Sequence, residues 1–86
     1  MELKEQFEQA AAESKALPSK PSNETLLQLY SLYKQGSIGD INTEPPSNPF
    51  DFVAKAKYDA WAALKGKSND DAMNGYVELV NKLKDN

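Results

Sequence analysis

Tyr30, Tyr33 and Lys34 stand in the stretch Leu-Tyr-Ser-Leu-Tyr-Lys-Gln. At about 100° per residue they share one side of a helix. A phenol offers a flat ring face and a hydroxyl, and an ammonium offers a point charge. Together they suit a flat, negatively charged ligand. Bond-breaking chemistry is poorly provisioned. The chain has no cysteine, which excludes disulfides, thiolate metal sites and thiol catalysis. It has no histidine, the side chain most used for proton transfer near neutral pH and the commonest metal ligand. Carboxylates, lysine, tyrosine and serine remain, with no nucleophile–base pair apparent among them. The pair Asp70-Asp71 reads as helix capping rather than acid–base machinery.

The lysines are unusual in where they fall. Leu26, Leu27, Leu29, Tyr30 and Tyr33 form a broad apolar arc, and Lys34 falls inside it. A second helical stretch repeats the pattern: Val53, Ala60, Trp61 and Leu64 form a stripe with Lys57 within it, while Lys55, Tyr58 and Asp59 take the outward positions. A weaker case is Lys15, one turn beyond Ala11. One such lysine is readily explained by its stem covering core while its head reaches water. Three, in an acidic chain with many outward positions to spare, point further. If folding gathers them, an anion relieves their mutual repulsion.

Four helices must position these residues. The first spans residues 3 to 16, with Leu3, Phe7, Ala10, Ala11 and Ser14 on one face; Pro18 and Pro21 then break it. Ser22 is an N-cap for the second, which is expected to reach Gln35 and stop at Gly36. Residues 36 to 50, with two glycines and three prolines, have no helical pattern. So long a loop in so small a domain reads as mobile or functional. Phe50, at its exit, is either an anchor for the next helix or a contact for a ligand. The third helix spans about 51 to 65, ended by Gly66. Ser68 and Asp71 open the fourth in the manner of a capping box, and Ala72, Met73, Tyr76, Leu79, Val80 and Leu83 form its stripe. Phe7, Trp61 and Tyr76 are each accounted for as core aromatics.

The expected architecture is thus all-α, a four-helix bundle, as a single domain over residues 1–86. A net charge of −3 argues against a nucleic-acid partner. All ten basic residues are lysines, so no guanidinium fork is available for a phosphate. No apolar run reaches the length of a membrane span, and Met-Glu-Leu-Lys-Glu-Gln does not read as a signal peptide, so a cytoplasmic setting is expected. On these residues alone, two functions stand: a binder of a nucleotide-like ligand, or a helical protein-interaction module whose tyrosine–lysine face meets an acidic partner.

The segments LPSKPSNETLLQLYSLYKQGSIGDIN, KAKYDAW and LKGKSNDDAMNGY occur in an order and spacing that resemble the acyl-CoA-binding protein family, also called diazepam-binding inhibitor. The LPSKPS turn looks most like fungal members. The resemblance implies a bundle of up-down-down-up topology and no enzymatic activity. It implies non-covalent binding, buffering and transport of long-chain fatty acyl-CoA esters, with no cofactor. The implied partners are those esters, met by a monomer without stable membrane insertion that makes transient contacts with acyl-CoA-using enzymes or membranes. It places Lys15 along the head-group site and assigns Tyr30, Lys34 and Lys57 to the 3′-phosphate of coenzyme A. Tyr33 and Tyr76 go to the adenine pocket, and Ser31 and Leu32 to the same contact segment. The chain departs from the family pattern at the 44–50 loop, at Val53 and at Tyr58.

Overall fold

A computed structural model describes residues 2–85. Four helices follow one another: α1 (Leu3–Ser14), α2 (Asn23–Ser37), α3 (Phe52–Ala62) and α4 (Asn69–Lys84). Three begin at a side-chain cap. Ser22 Oγ accepts from the Thr25 amide, Ser68 Oγ from the Asp71 amide, and an Asp51 carboxylate oxygen from the Ala54 amide. Each satisfies a backbone donor that the helix leaves unpaired.

Neighbours along the helices give their directions. Phe7 and Met73 meet over Gly36, and further along both helices Lys84 reaches Glu13, so α1 and α4 run parallel. Asn69 bonds to Gly36 and Leu32 lies against Gly75, so α2 and α4 are antiparallel. Leu26 and Leu27 face Phe52 and Val53, and further along Lys34 faces Trp61, so α2 and α3 are parallel. The result is the up-down-down-up bundle. It also accounts for the long connection: the chain between two parallel helices must travel back along α2, about 22 Å at 1.5 Å per residue.

Phe7, Ala10, Leu29, Tyr76 and Val80 form the buried core, with Leu26, Leu32, Met73 and Leu83 among the residues packed on it. This core belongs to α1, α2 and α4; α3 packs chiefly on α2. That explains a correction. Val53, expected in an apolar stripe, is 66% exposed, and Phe50 at 80% is no anchor. Only Trp61 of α3 is buried. Tyr58, expected outward, is half-buried and flanks a cavity with Pro45, Pro46 and Pro49.

The helix ends also differ from expectation. α1 stops at Ser14 and α3 at Ala62, each shorter than its pattern. Gly36 does not end α2. It is buried inside the helix, where an added Cβ would lie 3.1 Å from both Met73 and Phe7. Close approach of α1 and α4 requires glycine there, and the left-handed turn falls at Gly39 (φ 110°).

Fully buried Gln35 ties the loop ends together. Its amide donates to Asp40 at 2.9 Å and to the Lys67 carbonyl at 2.8 Å, and Asp40 also accepts from the Gly66 amide at 2.8 Å. The Gly66 and Gln35 donors hold the Asp40 carboxyl below its ordinary value of 3.8. A carboxyl depressed on folding stabilises above its unfolded pKa, and the contribution is lost as pH falls through the lower folded value. Thermal melts should therefore show wild type losing part of its advantage over Asp40→Asn below pH 3.8. Parallel acid limbs for the two proteins would remove Asp40 from this role.

Candidate ligand-binding site

The ring of Tyr30 is the centre of the site. Lys34 Nζ lies 5.8 Å from its centroid and Lys57 Nζ 5.3 Å. Lys34 is also 5.8 Å from the ring of Trp61. The parallel packing of α2 and α3 brings this about, because Tyr30 and Lys34 stand one turn apart on α2, and Lys57 and Trp61 one turn apart on α3. Cations over ring faces gain from the ring quadrupole while their charge stays available to an anion.

The ion pairs among the described residues are Lys55–Asp59 and Lys84–Glu13. Lys15, Lys34 and Lys57 have no carboxylate partner in that set. Lys34 and Lys57 line a cavity of about 280 Å³ with Tyr30, Trp61, Tyr58 and the loop residues Thr43, Glu44 and Pro46. Glu44 is the one carboxylate on its rim.

A second cavity, about 320 Å³, adjoins the first at Tyr30 and is lined by Ala11, Ser14, Lys15, Leu29, Tyr33 and Tyr76. Phe7 supports it from below. Its ring stacks on Tyr33 (centroids 5.2 Å, planes at 21°) and meets Tyr76 edge-on at 5.2 Å. Tyr33 is 42% exposed, so its ring presents a flat surface to the cavity. Tyr76 is buried, and its hydroxyl donates to Ser14 Oγ, which donates to the Ala11 carbonyl. Burial raises the Tyr76 phenol above its ordinary value, against the opposing effect of the Ser14 bond, so it remains a neutral hydroxyl near pH 7.

On the other side, Lys57 also borders an apolar groove of about 350 Å³ between α2 and α3, lined by Asn23, Leu26, Leu27, Phe52, Val53 and Ala56. Two cavities lined by lysine and tyrosine and one apolar groove thus run in series, joined at Tyr30 and Lys57.

The fold brings together Lys15, Tyr30, Tyr33, Lys34, Lys57 and Tyr76. It does not bring the side chains of Ser31 and Leu32 to this face. Ser31 is buried and donates to the Gln28 carbonyl, and Leu32 packs on the core against Gly75. Sequence reasoning gave no ligand-side place to Trp61, which is buried yet lines the cavity beneath Lys34, with its indole N–H held by the Gly39 carbonyl at 2.9 Å. The signal was available in the spacing of Lys57 and Trp61. Among the described residues no group of three or more acidic side chains is placed to hold a metal, and no helix is long and apolar enough to cross a membrane.

Fold and site together define a small helical bundle carrying an unpaired lysine–tyrosine cluster beside an apolar groove. The family model for acyl-CoA-binding protein matches residues 4–80, and the chain belongs to that family. An acyl-CoA-binding protein of Gossypium hirsutum is 47% identical over 83 residues, covering 96% of this chain and 92% of the relative. Acyl-CoA-binding protein homolog 1 of Caenorhabditis elegans is 49% identical over 77 residues, covering 90% and 88%. Among solved structures, Oryza sativa acyl-CoA-binding protein 2 superposes with a TM-score of 0.91 at 42% identity, covering 98% of this chain and 92% of its own. The protein from Moniliophthora perniciosa gives 0.86 at 34% identity, covering 100% and 86%.

Proposed function

We infer that this protein is a non-covalent carrier of long-chain fatty acyl-CoA esters, one ester per monomer, buffering and moving them in the cytoplasm without catalysing a reaction. The observation that carries this is the continuity at Lys57, which borders both the charged cluster around Tyr30 and the apolar groove. A ligand with a phosphorylated, ring-bearing head and an apolar tail matches that series.

In this reading Lys34, Lys57 and Tyr30 take the 3′-phosphate. Tyr33 and Tyr76 receive the adenine, with Lys15 at the edge of the same cavity. Ser31 and Leu32 act from behind, fixing the helical turn that spaces Tyr30 from Lys34. The tail lies between α2 and α3. Covering a methylene contributes about 0.8 kcal/mol, so ten contribute roughly 8 kcal/mol before entropy and desolvation costs. Tail length therefore governs affinity, and the head selects coenzyme A esters over free acids.

Calorimetric titration with palmitoyl-CoA, palmitate and CoA tests the reading. The ester is expected to bind far more tightly than either fragment. Heat from none of the three would favour a helical protein-interaction module instead.

A further inference from the structure

Among the described residues, the start of α3 carries the most exposed large apolar side chains. Phe50 is 80% exposed, Phe52 72% and Val53 66%. They stand within four consecutive positions, separated only by Asp51. The backbone beneath them is held. The Phe50 amide donates to the Asn48 side chain at 2.9 Å, the Asp51 amide to the Asn48 carbonyl at 3.1 Å, and Asp51 caps α3. A rigid turn thus displays side chains that bury little against their own domain.

We propose that Phe50, Phe52 and Val53 dock on the surface of a zwitterionic lipid bilayer, at the place where the groove between α2 and α3 receives and releases its apolar tail. The tail's identity rests on the function proposed above; the docking surface does not. Three observations select this occupant. First, the patch continues into the groove, since Phe52 and Val53 line it, so a bilayer touching the patch meets the groove directly. Second, charge disfavours an anionic surface. The chain carries −3 overall, Asp51 sits inside the patch, Lys55 beside it is paired with Asp59, and the Lys57 ammonium at the groove lies over the Tyr30 ring, away from the patch. Third, the three exposed side chains offer only about 400 Å². A stable protein interface takes about 800 Å² from each partner. Aromatic rings at a lipid–water boundary need no such area, and two phenylalanines with a valine suit reversible contact.

The test uses the full chain and vesicles of phosphatidylcholine alone, with Phe50→Ser as the probe variant. Phe50 lies outside the groove lining and buries little, so this change leaves folding intact. Ligand-free wild type is expected to float with the vesicles, and Phe50→Ser to do so on the order of tenfold less. Delivery of palmitoyl-CoA to acceptor vesicles is expected to quicken in proportion to vesicle concentration for wild type and to lose that dependence in the variant. The two proteins are expected to bind palmitoyl-CoA equally in vesicle-free buffer. Equal flotation of wild type and variant overturns the proposal. So does flotation that requires added phosphatidylserine, which would assign the contact to lysines. Weaker palmitoyl-CoA binding by the variant without vesicles would assign Phe50 to the tail site instead. A dimer lost on substitution would assign the patch to a second copy. If palmitoyl-CoA fails to bind wild type at all, the flotation result still decides the docking surface.

Discussion

Lys34→Ala is expected to weaken palmitoyl-CoA binding by about 1.5–3 kcal/mol, the range for a hydrogen bond to a charged group. That is roughly tenfold to more than a hundredfold in Kd. Lys34 is half-buried between the rings of Tyr30 and Trp61, so its charge is less screened than that of a free surface lysine. Lys57 is exposed, and Lys57→Ala should cost less. The discriminating ligand is palmitoyl-dephospho-CoA, which lacks the 3′-phosphate. Against it, Lys34→Ala should lose much less. Equal losses for both ligands would show that Lys34 does not read that phosphate. Ligand-free stability should change little in the variant, because the lost contacts with the Tyr30 and Trp61 rings are offset by eased repulsion with Lys57, and no carboxylate among the described residues pairs with Lys34.

Phe7→Ala is expected to have the largest effect on the fold. The ring is 4% exposed, lies between Tyr33 and Tyr76, and packs close against Gly36. Removing a buried phenylalanine costs about 3–5 kcal/mol, from lost transfer energy and the cavity left behind. For a domain of this size that lowers Tm by on the order of 15–30 °C, readable by circular dichroism. The aromatic floor of the Tyr33–Tyr76 cavity goes with it, so affinity should fall as well. Saturating palmitoyl-CoA should recover part of the Tm by mass action. A Tm within a few degrees of wild type would mean that the ring is not a core element.

What could be read in advance follows from which forces are local. Ser22 and Ser68 were legible as caps because a hydroxyl ahead of a helix acts on amides three residues away. The stripe of α4 was legible because one face meets both α1 and α2. Lys34 and Lys57 were legible as misplaced charges on apolar arcs, and the fold places both on Tyr30. Gly36 was misread. A glycine near a helix end usually marks a stop, and only the tertiary approach of Phe7 and Met73 shows why it stands inside the helix. Val53 was misread because periodicity marks an apolar face without saying whether anything covers it. Ser31 and Leu32 sit between two site residues in the chain, but the helical turn points their side chains elsewhere.

The attachment of α3 has a consequence for how a long molecule would enter. Its ties to the rest of the chain gather at one end: Trp61 on the Gly39 carbonyl, and just beyond it Gly66 on Asp40. The other end carries Phe52 and Val53, which bury little. Regions with few buried contacts open at lower free energy than the core. On this arrangement α3 is expected to pivot near Trp61, with its free end moving furthest. The groove at Leu26, Leu27, Phe52 and Val53 would then part before the cluster at Tyr30 and Lys34 is disturbed. Phe7, Leu29, Tyr76 and Val80 lie outside α3, so opening the groove in this way would require no melting of the core.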